Sequence, residues 1–547
     1  YQYLPDRGPF NREKIWHPFH EGQPAYIVPP LANLASGPSG LAFYPGTGLP
    51  EHYKNRFFLV DFRGGPGNSG VRTFRNKPKG AGFEVVDAEE TLWRVLATDV
   101  AFGPDGGVYL TDWVNGWNGE GKGRIYRYSS PEISASAEVQ EVKKLLAEGF
   151  SQRSAEELAK LLAHADRRVR QEAQFALADK KEVAALMQVA LKGPGVLARL
   201  HGIWGTAQVA RHESKGSEIL APLLPLLADE EAEIRAQAAN VLGEVKSAAA
   251  VEGLVKLLKD ESPRVRYFAA LALGKLGRKD SLGPLAVMLE TNNSQDPVLR
   301  HAGIMGLAGS AGSGEGLAEL SKHPSAAVRL AAAVAMRKLG SEQVAIFLND
   351  IDPLVVVEAA RAIHDLPLEG ALPKLAALIT RGSTDDALLR RVLNANYRLG
   401  TPENADAIAA FAARKNSPDN LRLEALAMLQ TWDKPSPKDR VLNFWRPLPA
   451  RELEPAAVAL RTNLPGIFSG SPKVQAEGAK VAAGLGIKEV SPALFALLAD
   501  KAQPPQTRAD SLTALATLKD PGLEKAVDTS LKDDASLVRA AARNILL

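Results

Sequence analysis

Apolar and polar positions follow two different rhythms along this chain, and the rhythm changes near residue 135. Before that point, short apolar runs are broken by Gly, Pro and Asp: GLAFYP from Gly40, RFFLVDF from Arg56, GVRTFR from Gly70, FEVVDAEE from Phe83, ATDVAFGPDG from Ala97, GVYLTDW from Gly107 and GRIYRYS from Gly123. Short runs rich in β-branched and aromatic residues between turn formers predict strands. From about Glu138 a different phrase recurs: an apolar residue, Arg, two variable positions, then Ala or Gly. It stands as VRQEA at Val169, IRAQA at Ile234, VRYFA at Val265, VRLAA at Val328, LRLEA at Leu421 and VRAAA at Val538, with weaker copies such as ARLHG at Ala198, LRHAG at Leu299 and TRADS at Thr507.

Most neighbouring copies lie roughly 30 residues apart, the period of a stacked helical hairpin. Many follow a helical run such as VEGLVKLLKD, and several are preceded by a turn with Pro or Asp, as in ESPR, QDPV and KHPS. Proline ends the first helix, because it lacks the N–H that a helix interior needs. The Arg series reads as a structural ladder that contacts turn carbonyls or the Asp of a preceding turn, and the small residue after each Arg admits a neighbouring helix. A ligand-binding basic stripe is the alternative. Ser154 and Glu157 are spaced for a capping box. The pattern resembles HEAT repeats, over residues 136–547 with an irregular insertion near 431–455. That likeness implies an all-α solenoid whose long surface binds a protein partner.

Residues 1–135 read as a separate domain. Four of the seven tryptophans, Trp16, Trp93, Trp113 and Trp117, lie there, which argues for a core of its own kind. A phrase repeats within it: a strand into a Pro/Gly turn, then a strand ending in Asp, at Asp61 and again at Asp112. Two such units of about four strands predict about two blades of a β-propeller. The expected fold is therefore β plus α: a partial propeller followed by the helical solenoid.

Composition removes whole classes of chemistry. The chain has no cysteine, which excludes disulfides, thiolate metal sites and covalent haem attachment. Its 66 Lys and Arg against 63 Asp and Glu give a net charge of +3, without the basic excess usual for a nucleic-acid partner. No apolar run approaches the roughly 20 residues of a membrane span. The chain begins at Tyr1 and reads as an excised piece, so any signal peptide lies out of sight.

The glycine-rich stretch GGPGNSG after Asp61 raises the question of a phosphate cradle. Such a loop needs a helix after it, and VRTFR reads as a strand. It also lacks the Gly-Lys-Ser/Thr ending. A connection between blade strands is the better reading. His17 and His20 are three apart, but Pro18 argues against a helix that would align them.

The phrases GPSGLAFYPGTGLPEHYKNRFFLVDFRGGPGNSGVRTF from Gly37, ATDVAFGPDGGVYLTDWVNGWNGEGKGRIYRY from Ala97 and VQEVKKLLAEGF from Val139 resemble the bacterial membrane-bound dehydrogenase domain, or PVC-type haem-binding, family. The resemblance implies a propeller similar to quinoprotein sugar dehydrogenases, then HEAT repeats, then a cytochrome-like domain. Only about two blades and no haem motif are present, so the chain reads as the middle of a longer protein. The resemblance implies that the complete protein is a periplasmic or otherwise exported oxidoreductase that uses pyrroloquinoline quinone and calcium on a sugar or alcohol and passes electrons to a cytochrome-like acceptor. The candidates for holding the cofactor are Asp61, Arg63, Asn68 and Lys122, and for calcium Asp112, Asn115 and Asn118; no catalytic residue is assigned. The alternative at each Asp is a turn cap, with Arg63 as the partner of Asp61. The alternative for the whole chain is a non-catalytic interaction scaffold.

Overall fold

The computed structural model describes residues 9–114 and 121–547. All seven apolar runs before residue 135 form strands: β1 (Pro38–Phe43), β2 (Phe57–Asp61), β3 (Gly70–Lys79), β4 (Gly82–Trp93), β5 (Ala97–Phe102), β6 (Val108–Asp112) and β7 (Arg124–Tyr128). They make two antiparallel meanders, β1-β2-β3-β4 and β5-β6-β7. The second sheet has three described strands, one fewer than the first. Alternation places one side of each strand inward. Phe58, Val60 and Val71 from the first sheet meet Ala97, Val100, Val108 and Leu110 from the second, closed by Tyr44 and Leu49. GGPGNSG forms a single turn of 3₁₀ helix, Pro66–Asn68, and runs straight into β3.

From Ala155 onward the chain is a succession of helical pairs. The Arg phrases lie at the start of the second helix of each pair, as in Arg167–Asp179, Ala232–Glu244, Pro263–Leu276 and Pro505–Thr517. The capping box is present: Ser154 Oγ accepts from Glu157 N, and Glu157 Oε2 accepts from Ser154 N. In several pairs the first helix is 3₁₀ rather than α: Ala221–Ala228, Glu315–Lys322 and Glu342–Asn349. In the first of these, Pro225 removes an N–H from the ladder. Small residues set the helix spacing as the phrase predicts. A Cβ at Gly202, three residues after Arg199, would lie 2.5 Å from Ala190 N on the facing helix.

Packing divides the chain into two compact units, residues 16–335, and residues 1–15 with 336–547. No division between these units falls at the change from strand to helix near residue 135. Asp166 shows why. Fully buried at the start of helix Arg167–Asp179, it accepts from Thr47 Oγ1 at 2.6 Å, and the neighbouring Arg167 N donates to Pro45 O. Arg168 Nη1 donates to Gly103 O. Further along, the β3–β4 turn meets a later repeat, where Ala81 N donates to Asp296 Oδ2 at 2.6 Å. Asp296 Oδ1 meanwhile caps helix Pro297–Ala311. The strand region therefore has no independent boundary against the first helical pairs.

Candidate functional site

Asp61 ends β2 with no exposed surface. Its Oδ1 accepts from Ser36 N at 3.1 Å and Gly37 N at 3.0 Å, and its Oδ2 accepts from Arg63 Nε, Arg63 Nη2 and Arg72 Nε at 3.0, 2.7 and 3.1 Å. Burial pushes this carboxyl up, but the hydrogen bonds from Arg63, Gly37 and Arg72 outweigh burial and hold it below the usual carboxylate range. Five N–H donors use both oxygens, so Asp61 does not fit the holding of a quinone or a cation. Arg63 is its partner, as the capping alternative has it. Asn68 is exposed on the turn and Lys122 is exposed ahead of β7.

Asp112, at the corresponding end of β6, is buried, and its Oδ1 accepts from Val114 N at 2.9 Å. Asn115 and Asn118 lie outside the described residues. Among the described residues, no group of three or more His, Asp or Glu side chains could hold a metal ion. Nor is any described helix long and apolar enough to cross a membrane.

The Arg series is a structural ladder. Arg170 Nη1 donates to His164 O and Ala165 O, Arg235 Nη1 to Asp229 O and Glu230 O, Arg329 Nη1 to His323 O and Pro324 O, and Arg539 Nη1 to Asp533 O and Asp534 O. Each Arg reaches back to carbonyls five and six residues earlier and so satisfies the turn that joins its two helices. A second contact runs forward. Arg199 pairs with Asp229, Arg235 with Asp260 and Arg508 with Asp533, in each case the Asp of the following turn rather than the preceding one.

A dense polar cluster, which sequence reading missed, lies in the unit containing residues 336–547. Arg361 on helix Pro353–Asp365 and Arg391 on helix Asp386–Leu399 are both buried. Arg361 pairs with Glu358 on its own helix, and Arg391 donates from Nε and Nη2 to Asp365, each at 2.9 Å. Both also hold Glu13: Arg361 Nε donates to Oε2 at 2.7 Å, and Arg391 Nη1 to Oε1 at 2.8 Å. Burial would lower the Arg391 pKa, but the charges of Asp365 and Glu13 raise it. Burial likewise pushes Asp365 up, and the charge of Arg391 with the His364 hydrogen bond brings it well below the ordinary range.

Fully buried His364 continues the network through Nδ1 to Asp365 Oδ1 at 2.9 Å, and Asn394 Nδ2 donates to Asp439 Oδ2 at 2.9 Å. Asp439 belongs to the helix-free stretch between Gln430 and Glu454, where it accepts from Val441 N and Leu442 N. A sequence signal is Arg-Arg at 390–391 in LRRVL, where each of the phrases quoted above carries a single Arg; nothing in the pattern points to Glu13. Elsewhere in the same unit an open cavity of about 840 Å³ is lined by Phe495, Arg508, Lys525, Lys532 and Asp533.

Residues 220–308 match the HEAT repeats family, and the long helical region as a whole is HEAT-like. No curated protein matches the chain. Among solved structures, an engineered protein is 20% identical over 72% of this chain and 98% of its own, with a TM-score of 0.27. Human deoxyhypusine hydroxylase in complex with glycerol is 20% identical over 68% of this chain and 97% of its own, with a TM-score of 0.19. A chain from a structure of Kap95p with RanGDP is 14% identical over 72% of this chain and 61% of its own, with a TM-score of 0.37.

Proposed function

We propose that this chain is a protein-binding scaffold whose helical repeats supply the docking surface. The observation that carries this reading is the inward use of charge. The repeat arginines serve turn carbonyls and the Asp of neighbouring turns, so their charge is engaged between repeats, which supports a repeat whose other exposed side chains meet a partner. The test is chemical cross-linking of the affinity-purified protein with its bound partners, followed by mapping of the linked lysines. Links from residues 155–546 to one reproducible partner are the expected result. Links confined to residues 16–128 would overturn the reading.

A second reading keeps the chain as part of an exported quinoprotein-like oxidoreductase with a sugar or alcohol substrate and a cytochrome-like acceptor. It is supported by the N-terminal phrases and by two successive antiparallel meanders, the connectivity of propeller blades. The internal engagement of Asp61 weighs against a cofactor at that position. Dye reduction by the full-length protein with pyrroloquinoline quinone, calcium and a panel of sugars separates the two readings, and turnover would favour the oxidoreductase.

A further inference from the structure

Residues 9–15 are seated like a bound peptide. Helix Pro9–Arg12 has Pro9 buried, Ile15 is 2% exposed, and between them Glu13 places its two oxygens on two buried guanidiniums contributed by consecutive repeats. Arg12 Nη2 adds a bond to Val441 O at 2.7 Å in the helix-free stretch. Chelation of one carboxylate by two arginines is the strong, directional form of carboxylate recognition. The seated residues are far in sequence from their receptors, and residues 16–37 that follow contain neither helix nor strand. A short segment on a long irregular tether is held by effective concentration, and such a segment exchanges with a free one of matching chemistry.

Building on the scaffold reading, we propose that the Arg361–Arg391 pair is a docking pocket for a glutamate-bearing linear segment of a protein partner. Residues 9–15 occupy it in cis and yield it to the partner. The partner segment carries a glutamate with an apolar residue two positions later, as Glu13 and Ile15 stand here. Arg361 and Arg391 already have Glu358 and Asp365 as partners. The pocket therefore stays charge-compensated while it changes occupants, which makes exchange affordable in a buried site.

The test uses the full chain and a fluorescent peptide copying residues 9–20. By fluorescence anisotropy, the Glu13→Ala variant is expected to bind the peptide at least 10-fold more tightly than the wild type. A peptide with Gln at the position of Glu13 should lose at least 10-fold. In the wild type, saturating peptide should speed amide exchange at residues 9–15, a readout that needs no variant. Absence of peptide binding to a folded Glu13→Ala variant, indifference to the peptide carboxylate, or unchanged exchange at 9–15 would overturn the proposal. A wild-type dimer that the peptide converts to monomer would place a second copy's segment in the pocket and would overturn the cis assignment. None of these failures touches the cross-linking test of the scaffold reading, which surveys all the repeats.

Discussion

Arg235 holds Asp260 through two hydrogen bonds, Nε to Oδ2 at 2.8 Å and Nη2 to Oδ1 at 2.9 Å, while its remaining nitrogen stitches the turn behind it. One side chain thus couples a turn to the next turn, and both partners are about nine-tenths buried.

Arg235→Ala should therefore cost about 3 kcal/mol, because it strips the buried Asp260 carboxylate of its charge partner, leaving it the bond from Ser262 N, and takes the guanidinium from two turn carbonyls. Arg278→Ala, which removes an exposed pair with Asp280, should leave stability unchanged within error. Urea unfolding of the two variants decides, and equal effects would contradict the ladder's structural role.

Close helix packing rests on glycine at particular positions. A Cβ at Gly309 would lie 2.2 Å from Gly274 O on the neighbouring helix, whereas one at Gly283 meets nothing within 4 Å. Gly309→Ala should destabilise by about 2 kcal/mol through forced separation of the helices. Gly283→Ala, in the exposed start of helix Leu282–Asn292, should gain about 0.5 kcal/mol. Thermal unfolding midpoints should move in opposite directions.

His201 is buried beside Arg170, and burial first, then the Arg170 charge, brings its pKa from 6.5 down to about 4. The folded state thus binds its proton less readily than the unfolded chain. Its contribution is complete above pH 6.5 and is lost as pH falls towards 4, by up to about 3 kcal/mol. The stability gap between wild type and His201→Gln should shrink over that interval. A gap constant from pH 7 to pH 4 would refute the assignment.

Asp61→Asn should cost about 2 kcal/mol, since the amide accepts through only one atom where five donors converge. Because the folded carboxyl titrates below the ordinary carboxylate range, the wild type's advantage is full above that range and disappears as pH falls below it. Denaturation at pH 7 and pH 3 measures the difference.

Much of this was legible in the chain. Strand runs and Arg phrases are local patterns, and local patterns report backbone geometry: FFLVD had to become a strand, and GGPGNSG a turn once VRTFR followed it. Ser154 and Glu157 met because three residues of helix bring them together. Glu13 gave no such signal. Its partners Arg361 and Arg391 stand 348 and 378 residues away, and a charged residue in a polar stretch looks the same whether it is solvated or chelated. Asp166 was equally silent, since its meeting with Thr47 depends on where the sheets pack.

The sequence by itself determined the element types, the repeat, the inward arginines and the absence of thiol chemistry, because each follows from residue type at short spacing. Tertiary structure alone decided that Asp61 spends its oxygens on five internal donors, that the compact units ignore the change from strand to helix, and that Glu13 sits between two buried arginines. Those outcomes depend on desolvation and on partners brought together from distant segments, neither of which is written in any local stretch of the chain.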